Sequence, residues 1–374
     1  MNFDQFIKKL PQLKKAGKED NERILAFMQR TKAQKRFTLF YDRSPDFFSL
    51  LQLSSPYNFV LLYEGKLGEL EGIISYTLIK GKDFDILYMG DLKIKASSDA
   101  TKTNWRNFAE EFIEKINEME EFKNVKYVYM VMMDDNTKAY QRLVASNILS
   151  FNIKKFQSYK MINILGQKWW NFSSSSRELT HHLRQATSEE MNHLLQHSAQ
   201  NKWGADHPEF IKYRAEKMKD NATIFEITNK QGEILLSATL EDVSPAKRIL
   251  IKRLPIGLKL FTKALPLIKG KAYSEGSSLD ILYLSNLSFH FSIIHQQKKM
   301  WDVINYALKT ALNFSNKRYH VISLSLFEND FFFLPNIKKY FLTQIEPLGH
   351  YQVIPTWGEE IPSNINPNFN MSYI

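Results

Sequence analysis

An internal repeat is the feature that most restricts how this chain of 374 residues can fold. The segment FDILYMGDLKI (Phe84–Ile94) returns as LDILYLSNLSF (Leu279–Phe289), at a shift of 195 positions. Further pairs follow in the same order at shifts of 162, 163, 196 and 193. Such collinear pairs predict two copies of one domain. The four further pairs are Glu71–Leu78 with Glu233–Leu240, SPDFF from Ser44 with HPEFI from His207, Trp105 with Trp301, and Asn136 with Asn329.

The length and the shifts predict where the domains begin and end. A chain of this size fits two cores of roughly 150 to 200 residues. The rise in the shift places about 33 extra residues in the second copy, between Leu240 and Leu279. We therefore predict a first domain over 1–165, an exposed serine-rich linker over 166–178, and a second domain over 179–374 with a basic insertion at about 241–278.

Each copy has the same predicted order of elements. A helix comes first, and in the second copy it opens with the capping-box spacing Thr187 to Glu190. Two alternating runs joined by a turn follow, then a third strand, a strongly amphipathic helix and a fourth strand. The predicted strands are Asn58–Tyr63, Gly72–Ile79, Ile86–Ile94 and Lys126–Met133, repeated as Thr223–Thr228, Glu233–Leu240, Ile281–Phe289 and His320–Leu326.

Composition excludes several classes of chemistry. The chain has no cysteine, which rules out disulfides, thiolate metal sites and a cysteine nucleophile. Its first twenty residues lack the continuous apolar run of a secretory signal, and no stretch approaches a membrane span. We therefore expect a cytoplasmic protein.

The excess of positive charge is concentrated in one segment. Net charge is +10, which favours acidic partners, and Ala246–Ala272 holds eight Lys or Arg and no carboxylate. Its apolar residues follow helical spacing, which fits either peripheral contact of 246–272 with an anionic membrane or a long acyl chain, or a helix packed on the sheet. No arginine-rich groove or aromatic stacking motif predicts a nucleic-acid partner. The apolar positions are Ile256, Leu260, Phe261, Ala264 and Leu265, with Lys259 and Lys263 on the opposite side.

Two short motifs carry a resemblance to a known family. Asp91-Leu92-Lys93-Ile94 ends the third strand, and Asn136-Thr137-Lys138-Ala139 follows the fourth. With the order of elements, they resemble the GNAT superfamily of acyltransferases, and DRSPDFF with YMGDLKI resembles a tandem-GNAT group of bacterial proteins. The resemblance implies an α/β (α+β) fold of two tandem domains, each a mixed, mostly antiparallel twisted sheet flanked by helices.

The same resemblance implies an activity and a set of site residues. The activity is acyl transfer from acetyl-CoA or another acyl-CoA to an amine-bearing small molecule, peptide or protein, without a metal. Leu92, Lys93, Ile94 and Asn136 would contact the pantetheine arm. The start of the next helix would hold the pyrophosphate. Its predicted donors are Ser98, Thr101, Lys102, Thr103 and Asn104, and the predicted catalytic residues are Asp91 as base and Tyr140 as acid.

The chain departs from the family pattern at the phosphate loop. That loop is normally rich in glycine, but no glycine occurs between Asp91 and Leu165 or from Ser277 to Leu348. The expected tyrosine is displaced, since Leu143 takes its place and Tyr140 lies directly after the motif alanine. In the second copy Phe332 replaces that alanine, so the first copy is favoured as the cofactor site.

Each candidate also has a purely structural interpretation. Asp91 fits a solvated acid at a strand end, Asn136 a helix cap, and Tyr140 a side chain packed on the sheet. The missing glycines also fit a non-catalytic tandem module for ligand sensing or protein binding.

Two further pairs of residues are candidates for a site or a contact between the domains. His193 and His197 have the spacing of metal ligands on a helix, but no third ligand is evident, which favours two surface histidines. Trp169 and Trp170 fit a hydrophobic latch between the domains.

Overall fold

The structure is a computed structural model. It describes residues 2–10, 12–29, 38–95, 99–134, 136–137, 140–141, 151–171, 178–199, 207–254, 259, 262–263, 265, 271–272, 274–315 and 318–361. Side chains are not described for 38–40, 99–105, 198–199, 315, 329 and 331.

One sheet of twelve strands runs through both copies. Its order is β1-β3-β4-β5-β6-β14-β7-β13-β12-β10-β9-β8. The strands from the first part of the chain are β1 (Leu13–Lys15), β3 (Asn58–Glu64), β4 (Leu70–Ile79), β5 (Asp85–Ile94), β6 (Val125–Met133) and β7 (Asn152–Gln167). Those from the second are β8 (Leu179–Gln185), β9 (Ala222–Asn229), β10 (Ile234–Glu241), β12 (Ile281–Phe289), β13 (Val321–Phe327) and β14 (Phe341–Ile354).

All eight strands predicted from the alternating runs are present as β3 to β6, β9, β10, β12 and β13. Within each copy the first three of them pair antiparallel, and the third pairs parallel with the fourth. A parallel pair needs a crossover, which the amphipathic helix provides. The predicted capping box also forms, because Thr187 Oγ1 accepts from Glu190 N at 3.2 Å and Glu190 Oε2 accepts from Thr187 N at 3.0 Å.

The last strand of each copy lies beside the other copy. β14 pairs with β6, β7 pairs with β13, and β7 and β14 pair with each other along nearly their whole lengths. This exchange joins the two copies into one sheet. The beginning of the predicted linker is part of the fold, since Gly166 and Gln167 belong to β7 and Asn171 is buried.

Helices cover both faces of the sheet in both copies. In the first, α1 (Phe3–Lys8) and α4 (Asp99–Lys115) share one core, while α2 (Asn21–Gln29) and α3 (Ser49–Ser54) lie over a second. In the second copy α8 (Gln297–Ser315) and α9 (Leu334–Tyr340) share the larger core. Its other face carries α5 (Ser188–Ala199) and α6 (Pro208–Met218), and α7 (Phe291–Ile294) precedes α8.

A two-stranded ribbon joins the copies a second time. β2 (Thr38–Asp42) from the first pairs antiparallel with β11 (Arg248–Arg253) from the basic insertion. Residues 248–253 of that insertion therefore form a strand, which the helical interpretation of 246–272 did not predict. Its residues alternate between the two faces of the ribbon, which is the expected pattern of a strand.

Carboxylates neutralise part of the basic segment. Arg248 pairs with Asp42 at 2.7 Å, and two lysines pair with acids at 2.9 and 3.0 Å, Lys259 with Glu275 and Lys271 with Asp280. Of the predicted insertion helix, Lys259, Thr262 and Lys263 are described and helical, with both lysines exposed and Thr262 buried. Contact of this segment with a membrane stays a prediction. Leu265 is buried, and Ile256, Leu260, Phe261 and Ala264 lie outside the described residues.

Within the described part of the chain, no helix has the length and apolar content that a membrane span requires.

Candidate functional site

The two parallel strand pairs separate before they end. β5 and β6 pair only as far as Met89 and Met130, although β5 continues to Ile94 and β6 to Met133. β12 and β13 likewise pair only as far as Tyr283 and Ser323. We call these two openings the first and second splay. Beyond them, the backbone groups on one edge of β5 and of β12 have no strand partner among the described residues.

A left-handed bulge lies beside each splay. Asp91 has φ 51° and Asn286 has φ 53°, the two non-glycine residues with positive φ in the described chain. Asp91 and Leu92 together face the single residue Ile74, which is the pattern of a β-bulge and turns the end of the strand. Asn and Asp tolerate this conformation better than other residues with a Cβ.

The positions of the bulges show which residues of the two copies are equivalent. Ser75 pairs with Gly90 just before the first bulge, and Thr239 pairs with Ser285 just before the second. Ser75 is therefore equivalent to Thr239, whereas the sequence comparison placed it on Ser237. The alignment of this strand was wrong by two residues, a slip that preserves the face of every side chain.

The carboxylate of Asp91 is held by two side chains. Its Oδ1 accepts from Arg43 Nη2 at 2.7 Å and its Oδ2 accepts from Ser75 Oγ at 2.8 Å. The side chains of Arg43 and Asp91 are 12% and 11% exposed, and the guanidinium lies 5.0 Å from the ring centre of Phe47. Asp91 is thus a largely enclosed ion-pair partner at the bulge, and the interpretation as a solvated acid is wrong.

The second bulge has a different polar network. Asn286 Nδ2 donates to Glu241 Oε1 and to Thr239 Oγ1, both at 2.9 Å, and Thr239 Oγ1 donates to Glu241 Oε1 at 2.7 Å. Glu241 is almost fully buried. Asn286 therefore contacts Thr239, the equivalent of Ser75, and binds the carboxylate of Glu241 where Asp91 binds the guanidinium of Arg43.

Aromatic rings close the second splay. Phe289 at the end of β12 stacks on Phe333, which lies in the turn after β13, with 6.2 Å between ring centres. In the first copy Ile94 is equivalent to Phe289, and Tyr140 contacts Tyr351 edge-on at 6.3 Å instead. Between the described side chains of the first splay no ring pair of this kind forms. The first splay is thus the better candidate for binding a ligand.

A cavity of about 320 Å³ lies between the ribbon and the centre of the sheet, next to Asp91. Alternate residues of β7 and β14 form its floor, as expected for one face of a sheet. Its walls are mostly apolar, and five charged side chains line it, including Asp42, which pairs with Arg248. The other four are Arg43, Asp91, Lys247 and Glu346.

Solved structures resemble the chain in fold, whereas no protein-family model and no curated protein matches it. Saccharomyces cerevisiae N-myristoyltransferase with bound myristoyl-CoA superposes with a TM-score of 0.56 at 10% identity, covering 96% of this chain and 90% of that one. A tandem GNAT protein from the clavulanic acid biosynthesis pathway gives 0.54 at 8% identity, covering 93% and 99%. A GCN5-related glucosamine N-acetyltransferase region of a fungal GH3 β-N-acetylglucosaminidase gives 0.56 at 9%, covering 90% and 38%.

The chain has a tandem GNAT fold. The predicted fold class, with its large and mostly antiparallel sheet flanked by helices, is confirmed.

In this tandem GNAT fold, the residues predicted to contact a pantetheine arm lie on the separated end of β5. Leu92 is 41% exposed, and Ile94 packs at the edge of the first core. The side chain of Lys93 turns to α2, where Nζ donates to the carbonyl of Phe27 at 3.0 Å, and burial lowers the pKa of this lysine. These residues can therefore offer backbone groups to a ligand in the splay, while Lys93 does not extend its charge toward it.

The predicted phosphate donors belong to the start of α4 and not to a loop. The helix begins at Asp99, so Thr101, Lys102, Thr103 and Asn104 occupy its first two turns, although their side chains lie outside the described residues. Ser98 lies wholly outside them. The first amides of a helix have no partner within it, and that property suits an anion.

The predicted residues after β6 begin a helical turn at the surface. Asn136 is exposed, and its carbonyl accepts from the backbone N–H of Tyr140 at 3.0 Å. Tyr140 is 44% exposed. The catalytic and binding roles given to Asp91, Tyr140 and Asn136 stay predictions.

Sequence reasoning missed Lys247, the most unusual charge of the site. It precedes β11 and alternates with Ile249 and Ile251, so all three face the cavity. Lys247 is buried and its Nζ lies 5.3 Å from the ring centre of Tyr41. Burial, reinforced by Arg43, lowers the pKa of Lys247 to about 7, against the opposing attraction of nearby carboxylates. The alternation KRILIKR was a signal that could have identified it.

The lowered pKa of Lys247 predicts a pH-dependent contribution to stability. Below about pH 7 the lysine is charged in both the folded and unfolded states, so the full cost of burying the charge is present. Above that pH the folded state loses its proton first, and stability rises with pH until the unfolded lysine also titrates near 10.5. From about pH 6 to about pH 9 we expect the wild type to gain about 2 to 3 kcal/mol relative to Lys247→Met.

Urea unfolding of both proteins across this range measures the effect, because other titrating groups cancel in the comparison. The matched control is Lys263→Met, which removes an exposed lysine of the same insertion and should show no such trend. An unchanged stability difference between wild type and Lys247→Met would contradict the buried charge.

The remaining candidates are accounted for by structural contacts. His197 Nδ1 lies 2.7 Å from Ser288 Oγ, and the described residues contain no group of three or more acids and histidines placed to hold a metal. Trp169 is 74% exposed, whereas the indole N–H of Trp170 donates to the carbonyl of Lys339 at 3.1 Å. The link is a polar contact through one tryptophan, so the hydrophobic latch is wrong.

Proposed function

We propose that the chain is an acyl-CoA-dependent N-acyltransferase whose first copy binds the acyl-CoA. The observation that carries the proposal is the difference between the two splays. The first leaves the edge of β5 open beside a cavity, while the second is closed by Phe289 and Phe333. The second copy then serves to build the sheet and, through β11 and Lys247, one wall of the cavity.

The residues of the first splay suit a thin polar chain. From Gly90 to Ile94, β5 no longer pairs with β6 in the described part of the chain, so this edge can exchange hydrogen bonds with amides, as an added strand would. The N-terminus of α4 follows directly and favours negative charge. An acyl-CoA supplies an acyl group that is activated as a thioester.

The cavity suits the acceptor amine. An acceptor bound in the cavity would lie next to Asp91, near the end of β5. An amine must lose a proton during transfer, and a carboxylate can accept it. We propose two carboxylates for that role: Asp91, whose oxygens accept from Arg43 and Ser75, and Glu346, which also lines the cavity.

The comparisons support the general class of reaction. The yeast N-myristoyltransferase carries myristoyl-CoA, and another neighbour is named a glucosamine N-acetyltransferase region. At about 10% identity these likenesses concern the fold, so acyl length and acceptor do not follow from them.

Calorimetry with acetyl-CoA and with longer acyl-CoAs tests the proposal. We expect millimolar or tighter binding of at least one thioester. If none binds, the proposal fails, and a non-catalytic module that retained the fold becomes the better account of the glycine-free helix starts.

A further inference from the structure

Two adjacent tryptophans, Trp169 and Trp170, stand out from the surface directly after β7. Trp169 is 74% exposed and Trp170 is 45% exposed, and their rings meet edge-on with 5.4 Å between the ring centres. Exposed apolar groups of this size, when polar residues surround them, are typical of a contact surface. Neither ring lines the cavity, so the proposed function does not account for them.

Contacts with α9 hold the two tryptophans in place. The indole N–H of Trp170 donates to the carbonyl of Lys339 at 3.1 Å. Next to it, Lys168 Nζ donates to the carbonyl of Lys338 at 2.6 Å. The one polar atom of the Trp170 side chain is therefore used within the protein. What this side chain offers to a partner is its apolar ring, and the ring of Trp169 is exposed even further.

Three lysines surround the tryptophans. Lys168 Nζ lies 5.4 Å from the ring centre of Trp170. Lys338 and Lys339 are exposed in the last turn of α9. None of the three lysines forms an ion pair with a carboxylate of the described residues, so their positive charge is open to an anionic partner. We call Trp169, Trp170 and these three lysines the tryptophan patch.

The start of α8 extends the positive surface beside the patch. Trp301 of α8 stacks on Tyr340, the last residue of α9, with 5.7 Å between ring centres. Lys298 and Lys299 are exposed in the first turn of α8, and the next turn contributes one acid, the half-buried Asp302. This part of α8 therefore adds to the positive charge of the patch.

We propose that the tryptophan patch binds the surface of an anionic lipid bilayer. Trp169 and Trp170 would enter the boundary between headgroups and acyl chains, which suits rings of this kind. The lysines would contact the lipid phosphates and carboxylates, an attraction that acts within a Debye length of the surface. The inference is independent of the proposed function, because it uses neither the cavity nor the first splay.

The geometry of the rings favours a bilayer over a single-stranded nucleic acid, which would also be attracted to lysines and aromatic rings. Successive bases of one strand stack on ring faces that follow the strand. The rings of Trp169 and Trp170 stand at 81° to each other, so they cannot both stack on successive parallel bases. Insertion into a bilayer sets no such condition on the angle between the rings.

Co-sedimentation of the full chain with vesicles tests the assignment. One vesicle type is phosphatidylcholine alone, and the other contains about 30% phosphatidylserine. We expect partition onto the anionic vesicles to be at least about tenfold stronger and to weaken as salt is added. Vesicles with brominated acyl chains should also quench tryptophan emission, because the exposed rings reach the acyl-chain boundary.

Two variants separate the apolar and the charged parts of the patch. Trp169→Ala removes the more exposed ring and should weaken partition onto anionic vesicles about tenfold, with loss of most of the bromine quenching. Lys338→Gln combined with Lys339→Gln should weaken the same partition by about tenfold or more and leave partition onto neutral vesicles unchanged.

The matched controls remove similar groups elsewhere. Leu67→Ala removes an apolar side chain that is 93% exposed, and Lys259→Gln combined with Lys263→Gln removes two lysines of the basic insertion. Neither should change partition. A loss confined to the Lys259 and Lys263 variant would assign membrane contact to the insertion and overturn the proposal.

Equal partition onto both vesicle types, or none onto either, would also overturn the proposal. Tighter binding to a fluorescent oligothymidine than to anionic vesicles, lost in the Trp169 and Lys338/Lys339 variants, would make the patch a nucleic-acid face and contradict it as well. Calorimetry with acyl-CoA is a separate measurement, so failure of the membrane contact and failure of the proposed function are distinguishable.

Discussion

Replacing Asp91 with Asn is expected to lower the free energy of unfolding by about 3 kcal/mol, because the change leaves the guanidinium of Arg43, which is only 12% exposed, without its counterion. The backbone should be unaffected, since Asn286 holds the same left-handed bulge in the second copy. The variant therefore isolates the charge. Urea unfolding, followed by tryptophan fluorescence and circular dichroism, measures the change.

Removing both charges provides the first control. Arg43→Met combined with Asp91→Asn should recover a large part of the loss, because no uncompensated ion remains. Losses that simply add in the double variant would show that the two side chains do not depend on each other, contrary to the structure.

The reverse exchange in the second copy provides the second control. Asn286→Asp places a carboxylate where the amide now donates to buried Glu241, so two like charges would share one site. We expect a loss of similar size to that of Asp91→Asn. A neutral effect would mean that the two bulges are not distinguished by charge.

Filling the first splay is expected to weaken acetyl-CoA binding about tenfold to a hundredfold. Ile94→Phe introduces the residue found at the equivalent position of the closed second splay, Phe289. Overfilling a packed site costs about 1 to 3 kcal/mol, which the incoming ligand must overcome. Calorimetric titration measures the affinity, and urea unfolding of the same sample checks that the variant is folded.

The matched variant is Phe289→Ile, which opens the second splay and should leave acetyl-CoA affinity unchanged. Tighter binding in Phe289→Ile together with normal binding in Ile94→Phe would assign the ligand to the second copy. That result would reverse the proposed division of roles.

The repeat was enough to predict the strands that carry the two splays. Phe84–Ile94 and Leu279–Phe289 were found as equivalent segments, and the structure places a bulge of the same hand in both. Local signals succeeded where a local cause decides the structure, as in the capping box at Thr187. The slip of Ser75 by two residues shows the limit, since alternation fixes the face of a strand and not its position.

The exchange of β7 and β14 could not be read from the repeat. Both are long strands whose partners come from the other copy, and pairing over such sequence distances depends on the assembled sheet. The sequence did not predict β11 as a strand, for a related reason. Its basic and apolar residues were taken together with the helix that follows, although its pairing with β2 decides its conformation.

The candidate site was predicted in part. Asp91 and the end of β5 were identified, but Arg43, Lys247 and Glu346 come from three distant parts of the chain. Arg43 belongs to the DRSPDFF motif, which the sequence did not connect with the site, and neither Lys247 nor Glu346 belongs to a motif. They converge because β2 pairs with β11 and because β14 crosses to the centre of the sheet.

Amide hydrogen exchange with and without acetyl-CoA shows which splay binds the ligand, because both splays are observed in one sample. Residues 90–94 and 285–289 are the equivalent strand ends, and each reports on its own opening. If the first splay binds the ligand, exchange slows on ligand addition in residues 90–94 and does not change in residues 285–289. Slower exchange in residues 285–289 alone, or no change in either segment at saturating ligand, would contradict binding in the first splay.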